Sequence, residues 1–265
     1  MNTVENVPLL SVVMPVFNEF RTIERIVDAV LAAPAPPLEL IIVDDFSTDG
    51  TREVLQRLSR HPQIRAFHHD RNRGKGAALR TGFAQARGSI ILVQDADLEY
   101  DPRDYVSLLK PIMDGSADVV FGSRFQGGPH RVLYFWHRVA NSVLTLMSNM
   151  VTDLNLTDME NCYKVFRRDV LQQLDLKEDR FGIEPEMTAK VAGLGVRIWE
   201  VPVSYNGRTY AEGKKIGLKD AFRAVHCILR YGLPERYARR APLVTAIAAP
   251  VKVPLPKEAQ RLRPN

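Results

Sequence analysis

The sequence predicts an α/β fold with a mostly parallel central sheet flanked by helices on both faces. Strand-like and helix-like runs alternate through residues 9–125, and the strand-like runs are almost continuously apolar. Alternation at this spacing is typical of parallel strands joined by crossover helices. Continuous apolar runs are typical of strands that are covered on both faces, because neither row of side chains then meets water.

The individual elements follow from local patterns. The apolar runs predict strands over residues 9–17, 38–45, 64–67, 89–94 and 117–122. Helices are predicted between them where apolar residues recur every three or four positions, as at Ile23, Ile26, Val27, Val30 and Leu31, and at Val54, Leu55 and Leu58. Asp101 before Pro102 predicts a helix start, because aspartate caps free amides and proline suits the first helical position.

The second half of the chain has a less regular pattern. Helices are predicted over residues 132–151, 166–174, 185–191 and 218–231, and a short strand over residues 196–201. From Pro234 onward, prolines, small apolar residues and basic residues predict an extended, mobile tail. We therefore expect one domain over residues 1–232 and a Pro/Arg-rich tail over residues 233–265.

Composition limits the class of protein. The chain has 265 residues, of which 45% are hydrophobic and 25% charged, and this globular composition excludes disorder or a coiled coil as the main architecture. Its two cysteines, Cys162 and Cys227, are too few for a disulfide framework and lack CxxC metal spacing. Neither a signal-peptide pattern nor an apolar run of about 18 residues is present, so we expect neither secretion nor a membrane span.

The net charge of +5 is unevenly distributed. Residues 207–265 carry 13 Lys/Arg and 4 Asp/Glu, whereas residues 1–206 carry 23 and 27. The basic segment is either a solvated surface or a surface that faces phosphate on a substrate or membrane. Nucleic acid is not an expected partner, because the basic residues are not interleaved with stacking aromatic residues.

Acidic and polar residues follow three predicted strands, at residues 15–19, 44–50 and 95–99. Ligands of parallel α/β sheets bind outside the carboxyl ends of the strands. Residues 47–50 alone can be a helix cap and a turn. Three clusters at one edge, however, bring carboxylates together, and their mutual repulsion requires a cation. A divalent metal is the simplest such cation.

Asp95 and Asp97 give the sharpest of these signals. Alternation along a strand sends both side chains to the same side, where they can bind Mg²⁺ or Mn²⁺ together with substrate phosphates and water. Glu99 can supply another oxygen. A surface turn is the alternative, but the apolar run at residues 90–93 favours a buried strand end. Residues 71–76 lack the order of an ATPase phosphate loop, yet their glycines and cations before a helix can approach a diphosphate.

Taken in order, residues 15–19, 44–45, 71–76, 95–97 and 122–124 resemble the motifs of family 2 glycosyltransferases with a GT-A fold. Residues 157–168, with Tyr205, Arg208 and residues 213–215, resemble the branch of polyprenyl- or dolichyl-phosphate sugar (mannose or glucose) synthases. The resemblance covers roughly residues 9–232. It implies a catalytic domain that moves a sugar from a nucleotide-diphosphate sugar to a polyprenyl phosphate, with inversion and with Mg²⁺ or Mn²⁺.

The resemblance also implies roles for individual residues. Those that bind the nucleotide sugar are Pro15, Phe17, Glu19, Val43, Asp45, Lys75, Asp95 and Ala96. Those that bind the metal are Asp97, Glu99 and Asp95. Those that bind phosphate are Arg124, Arg208 and Lys214. Those with catalytic roles are Asp97, Glu184 and Arg124.

The acceptor depends on the role of Glu184, which with Glu186 matches the region where many family members keep a general base. An alcohol acceptor needs a base to remove its proton, whereas a lipid phosphate is already ionised and needs none. An acid-rich helix N-terminus is the structural alternative for this pair. We therefore expect a polyprenyl phosphate acceptor, with transfer to a soluble or glycan hydroxyl as the alternative.

Two functions of other classes remain open from the sequence. A phosphatase or phosphotransferase can use Asp95 as its nucleophile, and a non-catalytic module can bind a nucleotide sugar. Residues 134–138 combine aromatic and basic side chains, which suits either a core helix or an amphipathic helix at a membrane interface. We expect a cytoplasmic protein, in peripheral contact with the inner face of the membrane.

Overall fold

The structure is a computed structural model that describes residues 9–127, 130–132, 134–209 and 218–238. The described residues form seven strands and eight helices, with one 3-10 turn at Pro102–Asp104. In chain order these are β1 (Leu10–Val16), α1 (Ile23–Leu31), β2 (Leu38–Asp44), α2 (Thr51–Leu58), β3 (Ile64–His68), α3 (Lys75–Gln85), β4 (Ile90–Val93), α4 (Tyr105–Met113), β5 (Val119–Ser123), α5 (Phe135–Thr152), β6 (Lys164–Arg167), α6 (Arg168–Leu171), α7 (Ile183–Leu194), β7 (Ile198–Pro202) and α8 (Leu218–Ala238).

The strands form one sheet in the order β3-β2-β1-β4-β6-β5-β7. All neighbouring pairs are parallel except those of β6, which runs antiparallel to both β4 and β5. The predicted α/β fold with a mostly parallel sheet is therefore confirmed. The chain moves from β1 outward to β3 and returns to β4 on the other side of β1. This reversal is the position at which ligand crevices form in open α/β sheets.

The central strands are buried as their apolar sequences predict. Every residue of β2 and β4 is buried, and α1 covers the sheet through Ile23, Ile26, Val27 and Val30. Helix α3 approaches closely at Gly82, where an added Cβ would lie 2.3 Å from Cγ1 of Val13. Glycine at this position therefore lets α3 pack directly on β1.

Strand β6 differs from the prediction, which placed a helix over residues 166–174. The structure has a strand over Lys164–Arg167 and only one helical turn after it. Four residues are too few for alternation to be recognised, and both ends are polar. Lys164 is nevertheless fully buried. The cost of burying its ammonium group is offset by hydrogen bonds from Nζ to the carbonyl oxygens of Met159 and Asn161, at 3.0 and 2.6 Å.

Helix α8 ends later than predicted. The predicted helix covered residues 218–231, whereas α8 continues through Pro234 to Ala238. Proline removes one helical hydrogen bond, but the turn before it is held by packing. Tyr231 donates to Glu178 at 2.8 Å, and a Cβ on Gly232 would lie 3.0 Å from Val151 of α5. Residues 239–265 of the expected tail lie outside the described residues. Among the residues that are described, none of the helices combines the length and apolarity needed to span a bilayer.

Candidate active site

The carboxyl ends of β1, β2 and β4 lie side by side at the point where the strand order reverses. Each is followed by a non-glycine residue with left-handed backbone conformation, at Asn18 (φ 54°), Phe46 (φ 68°) and Leu98 (φ 63°). Such conformations cost about 1–3 kcal/mol each and persist only where the surroundings impose them. The first two loops impose them on each other, because Asn18 donates its N–H to Ser47 and accepts from the N–H of Thr48. Backbone strain is thus concentrated at the predicted site.

Asp44 and Asp45 shape the loops around the site. The Asp44 carboxylate is fully buried and accepts from the N–H of Ser47 and Nε of Arg52, both at 2.9 Å. Burial raises the pKa of Asp44, but these hydrogen bonds and one from His68 outweigh it, so the pKa is lowered overall.

The Asp45 carboxylate accepts from the backbone N–H groups of Arg73 and Gly74, at 2.8 and 2.6 Å, and lies 2.7 Å from His69 Nδ1. It therefore positions residues 71–76 at the start of α3. The predicted contact of Asp45 with the nucleotide sugar remains a prediction, and in this structure protein groups engage both of its carboxylate oxygens.

Lys75 is the first residue of α3 and links two carboxylates. Its Nζ lies 3.0 Å from Oδ1 of Asp95, after β4, and 2.9 Å from Oε1 of Glu184, in the first turn of α7. Burial acts to lower the pKa of Lys75, but the charges of Asp95 and Glu184 outweigh it and raise the pKa well above its usual value. Lys75 is therefore a permanent cation between the two carboxylates.

Arg208 lies among the remaining acidic side chains of the site, which are Asp97, Glu99 and Glu19. Its NH2 lies 2.7 Å from Oδ2 of Asp97, its backbone N donates to Oε1 of Glu99 at 2.8 Å, and its NH1 lies 3.5 Å from Glu19. Tyr205 donates to the other oxygen of Glu99 at 3.0 Å. The residue predicted to bind phosphate thus balances the charge of the predicted metal ligands.

The carboxyl group of Asp97 is partly buried among like charges. Burial, followed by the charges of Asp95 and Glu99, raises the pKa of Asp97 to about 7, although Arg208 opposes this. Within the described part of the chain, no group of three or more His, Cys, Asp or Glu side chains is arranged to hold a metal ion. In this arrangement Asp97 and Glu99 are directed to Arg208.

Arg124, the other predicted phosphate ligand, forms a bidentate ion pair with Asp158. Both Arg124–Asp158 side-chain distances are 2.6 Å, and the Asp158 side chain is fully buried. The guanidinium also donates to Asn141 of α5 and lies 5.1 Å from the ring centroid of Tyr205. Its planar group is therefore engaged by protein, and this pairing accounts for Asp158 in the motif at residues 157–168.

Glu184 and Glu186 have different surroundings. Glu186 is fully buried and accepts from the backbone N–H groups of Lys177 and Glu178, which is a structural role. Glu184 is 5% exposed, and its Oε2 has no hydrogen-bond partner among the described residues. Of the two, Glu184 is therefore the one that the structure brings to Lys75.

Glu160 is a residue that the sequence did not single out. Its Oε1 is buried without a hydrogen-bond partner in the described residues, as is Oε2 of Glu184. Burial, then the charge of Glu184, raises the pKa of Glu160 to about 8. Only its place within residues 157–168 pointed to it. The structure thus adds a second carboxyl group with an unpartnered oxygen near Glu184.

The remaining predicted residues differ in accessibility. Phe17 is 38% exposed beyond β1, which suits stacking on a base, and Pro15 pairs in register with Val43. Val43 is fully buried in β2 and Ala96 is 3% exposed, so neither side chain offers a nucleotide much surface. A contact by Val43 is confined to its backbone. Lys214 lies outside the described residues.

Together, the sheet order and the acidic edge define the GT-A class of glycosyltransferases. Glucosyl-3-phosphoglycerate synthase from Mycobacterium tuberculosis shares this fold, with a TM-score of 0.65 and 22% identity over 86% of this chain and 81% of that structure. The model of the family described as "Glycosyl transferase family 2" matches residues 11–175. The chain belongs to this family and is a glycosyltransferase.

Similar curated proteins agree with the branch that the motifs indicated. Undecaprenyl-phosphate mannosyltransferase of Micrococcus luteus is 32% identical over 237 residues, covering 85% of this chain and 94% of the relative. Polyprenol monophosphomannose synthase of Mycolicibacterium smegmatis is 27% identical over 237 residues, covering 86% and 88%. The resemblance to polyprenyl-phosphate sugar synthases is confirmed. Family membership selects this interpretation over a phosphatase or a binding module.

The ion pairs of Lys75 give a prediction about stability. We expect Lys75→Ala to lower the free energy of unfolding by roughly 3–5 kcal/mol, because Asp95 and Glu184 are then left near each other without a cation. Lys110→Ala is the matched control, since its pair with Asp114 is exposed, and we expect a change below about 1 kcal/mol. Urea unfolding of both variants measures the difference, and equal losses would contradict the role of Lys75.

Proposed function

We propose that this glycosyltransferase moves a sugar, with inversion and with a divalent metal, from a nucleotide-diphosphate sugar to a polyprenyl phosphate. The observation that carries the proposal is the cluster of Asp97, Glu99 and Glu19 around Arg208 at the reversal of the strand order. A diphosphate and its cation match such a mixed site, because the carboxylates bind the cation and the guanidinium binds phosphate.

The carboxylates fit Mg²⁺ or Mn²⁺ by their chemistry. Hard cations of this kind take carboxylate oxygens and substrate phosphates, and burial followed by the charges of Asp95 and Glu99 raises the pKa of Asp97. Asp97, Glu99 and Asp95 are the proposed ligands. When bound, the cation neutralises charge that develops on the leaving diphosphate. Arg208 would then bind the phosphates, and Lys75 would hold Asp95 through their ion pair.

The proposed reaction is a single displacement. An oxygen of the acceptor phosphate forms a bond to the anomeric carbon as the bond to the nucleoside diphosphate breaks, which inverts the configuration. No proton has to be removed, because a phosphate monoester is ionised near neutral pH. This agrees with Glu184, whose Oε1 is held by Lys75. The names of the relatives quoted above support the polyprenyl phosphate acceptor.

Transfer to a soluble or glycan hydroxyl is the second candidate. Oε2 of Glu184 is buried without a hydrogen-bond partner in the described residues, so it could accept the proton of an acceptor hydroxyl.

The proposed lipid acceptor supports a further proposal, that the protein is cytoplasmic and lies at the inner face of the membrane. The proposed domain organisation is a catalytic domain over residues 1–232 and a C-terminal tail over residues 233–265, with helix α8 running to Ala238.

The first prediction from this proposal concerns transfer itself. With Mn²⁺, a panel of nucleotide sugars and a polyprenyl phosphate, we expect mass spectrometry to detect one lipid-linked sugar. Asp97→Asn should lower the rate by about 10²–10³-fold, since stabilisation of the leaving diphosphate is lost. Asp114→Asn, an exposed carboxylate outside the site, should transfer normally. Transfer only to a soluble alcohol would replace the lipid acceptor by the alternative.

The second prediction concerns pH. Protons compete with the cation for Asp97, whose pKa is about 7. We therefore expect the affinity for Mn²⁺ to be constant above that pKa and to fall by up to about tenfold per pH unit below it. Calorimetric titration on either side of neutrality measures the effect. An affinity that does not change through this interval would contradict Asp97 as a ligand.

The third prediction separates the two acceptors. Glu184→Gln should change the rate with a phosphate acceptor by less than about tenfold, whereas loss of a general base costs about 10²–10⁴-fold with an alcohol. Steady-state rates with both acceptors, in wild-type protein and variant, make the comparison. A severe loss with polyprenyl phosphate would show that the ionised acceptor still depends on Glu184.

A further inference from the structure

Two buried carboxyl oxygens of the site have no hydrogen-bond partner within the described part of the chain. They are Oε1 of Glu160 and Oε2 of Glu184. Glu160 lies in the loop before β6, and Glu184 lies in the first turn of α7. A buried acceptor without a donor is costly, because it has lost its hydrogen bonds to water and gained none from the protein. The pair therefore requires an explanation.

The two carboxyl groups act on each other electrostatically. After burial, the charge of Glu184 has the largest effect on Glu160, and together they raise the pKa of Glu160 to about 8. Both glutamates also act on Lys164 of β6, where burial lowers the pKa and the charges of Glu184 and Glu160 oppose this. Side chains from a loop, a helix and a strand thus form one cluster.

The cations of this cluster are engaged by other acceptors. The charged groups that act on Glu160 are Glu184 of α7, Lys164 of β6, Arg124 after β5 and Asp158 of its own loop. Lys164 directs its Nζ to two backbone carbonyls, and Arg124 forms the bidentate pair with Asp158. Lys75 lies 2.9 Å from Oε1 of Glu184, which is not the unpartnered oxygen. Both unpartnered oxygens therefore need another donor.

A single proton supplies that donor. An ionised carboxyl group only accepts hydrogen bonds, whereas a protonated one has an O–H that donates. Two neighbouring carboxyl groups resist ionisation of both, because their charges repel each other. Lys75 stabilises the ionised form of Glu184 through their ion pair. Glu160 is therefore the member of the pair that retains the proton.

We propose that Glu160 holds a proton at neutral pH and shares it with Oε2 of Glu184 through a hydrogen bond from Oε1. This shared proton gives a partner to both oxygens at once. Glu160 is then a positioning residue, which holds the Glu184 carboxylate from one side while Lys75 holds it from the other.

The shared proton has a consequence for the acceptor, which rests on the proposed function. With Oε2 of Glu184 already occupied, the site has no free base for the proton of an alcohol. An acceptor that is already ionised, such as a phosphate, needs none. Glu160 thus acts as a specificity-determining residue that favours phosphate over hydroxyl acceptors.

Infrared difference spectroscopy of the full chain, without donor or acceptor, tests the shared proton. At neutral pH, the spectrum of wild type minus that of Glu160→Gln should contain the C=O band of a protonated carboxyl group. This band should give way to a carboxylate band as the pH rises through about 8. Glutamine keeps the fold because its amide N–H can still donate to Glu184. Glu24→Gln is the matched control, since Glu24 is exposed, and it should remove only a carboxylate band.

Glu184→Gln tests whether the proton belongs to the pair. Removal of the Glu184 charge should lower the pKa of Glu160, so that Glu160 binds its proton at least about tenfold less tightly. The protonated band should therefore disappear at lower pH than in wild type. Glu24→Gln should leave the titration unchanged. Thermal unfolding confirms that each variant is folded.

The pH dependence of unfolding provides a second readout. The folded pKa of Glu160 is about 8, above the value of about 4.3 for an unfolded glutamate. Its contribution to stability is therefore complete below the lower value and is lost as the pH rises through the higher one. Between them, the unfolding equilibrium constant of wild type should rise relative to Glu160→Gln by up to about tenfold per pH unit. Urea unfolding at several pH values measures this ratio, and a constant ratio overturns the proposal.

The outcomes separate the shared proton from catalysis. Absence of the protonated band at neutral pH overturns the proposal, because Glu160 is then ionised and a water molecule has to donate to both carboxylates. A titration of Glu160 that Glu184→Gln leaves unchanged overturns it as well. A protonated Glu160 in a protein that transfers no sugar to any polyprenyl phosphate contradicts the proposed function and leaves the shared proton standing.

Discussion

Mutual repulsion of carboxylates at one edge of the sheet is the constraint on which the rest of the site depends. The structure meets it with two internal cations of different character. Lys75 lies partly buried between Asp95 and Glu184 at the start of a helix, and its pKa is raised, so it is a fixed part of the architecture. Arg208 is carried by an irregular segment and compensates Asp97. The first cation sets the shape of the site, and in the proposed reaction the second exchanges its carboxylates for the phosphates of the substrate.

Many of the motif residues turn out to support this arrangement. Asp45 positions the loop that presents Lys75, and Asp158 holds Arg124. Glu186 likewise fixes the loop before α7 through backbone amides. A carboxylate that accepts several N–H groups is an effective way to order a loop, because the ionised form only accepts hydrogen bonds. The motifs therefore include carboxylates that position the loops and side chains of the site through hydrogen bonds.

The sequence predicted what depends on local patterning. Buried parallel strands are recognisable from continuous apolar runs, and acidic residues after them indicate a site. The antiparallel strand β6 was missed because its four residues include a buried lysine whose partners are backbone carbonyls. The link between Lys75 and Glu184 and the unpartnered oxygen of Glu160 were missed for a related reason. They arise from contacts between distant segments, which leave no periodic signal.

The close contact between the start of α3 and the loop before α7 has a consequence for synthesis of the chain. Arg80 of α3 donates to the carbonyl of Glu178, 98 residues later, and a Cβ on Gly76 would lie 2.1 Å from the same carbonyl oxygen. At ribosomal rates of about 5–20 residues per second, the first four strands emerge roughly 5–20 s before this partner. During that interval Lys75 has Asp95 but not yet Glu184. The acidic edge of the sheet is therefore completed by Glu184 only after the second half of the chain has left the ribosome.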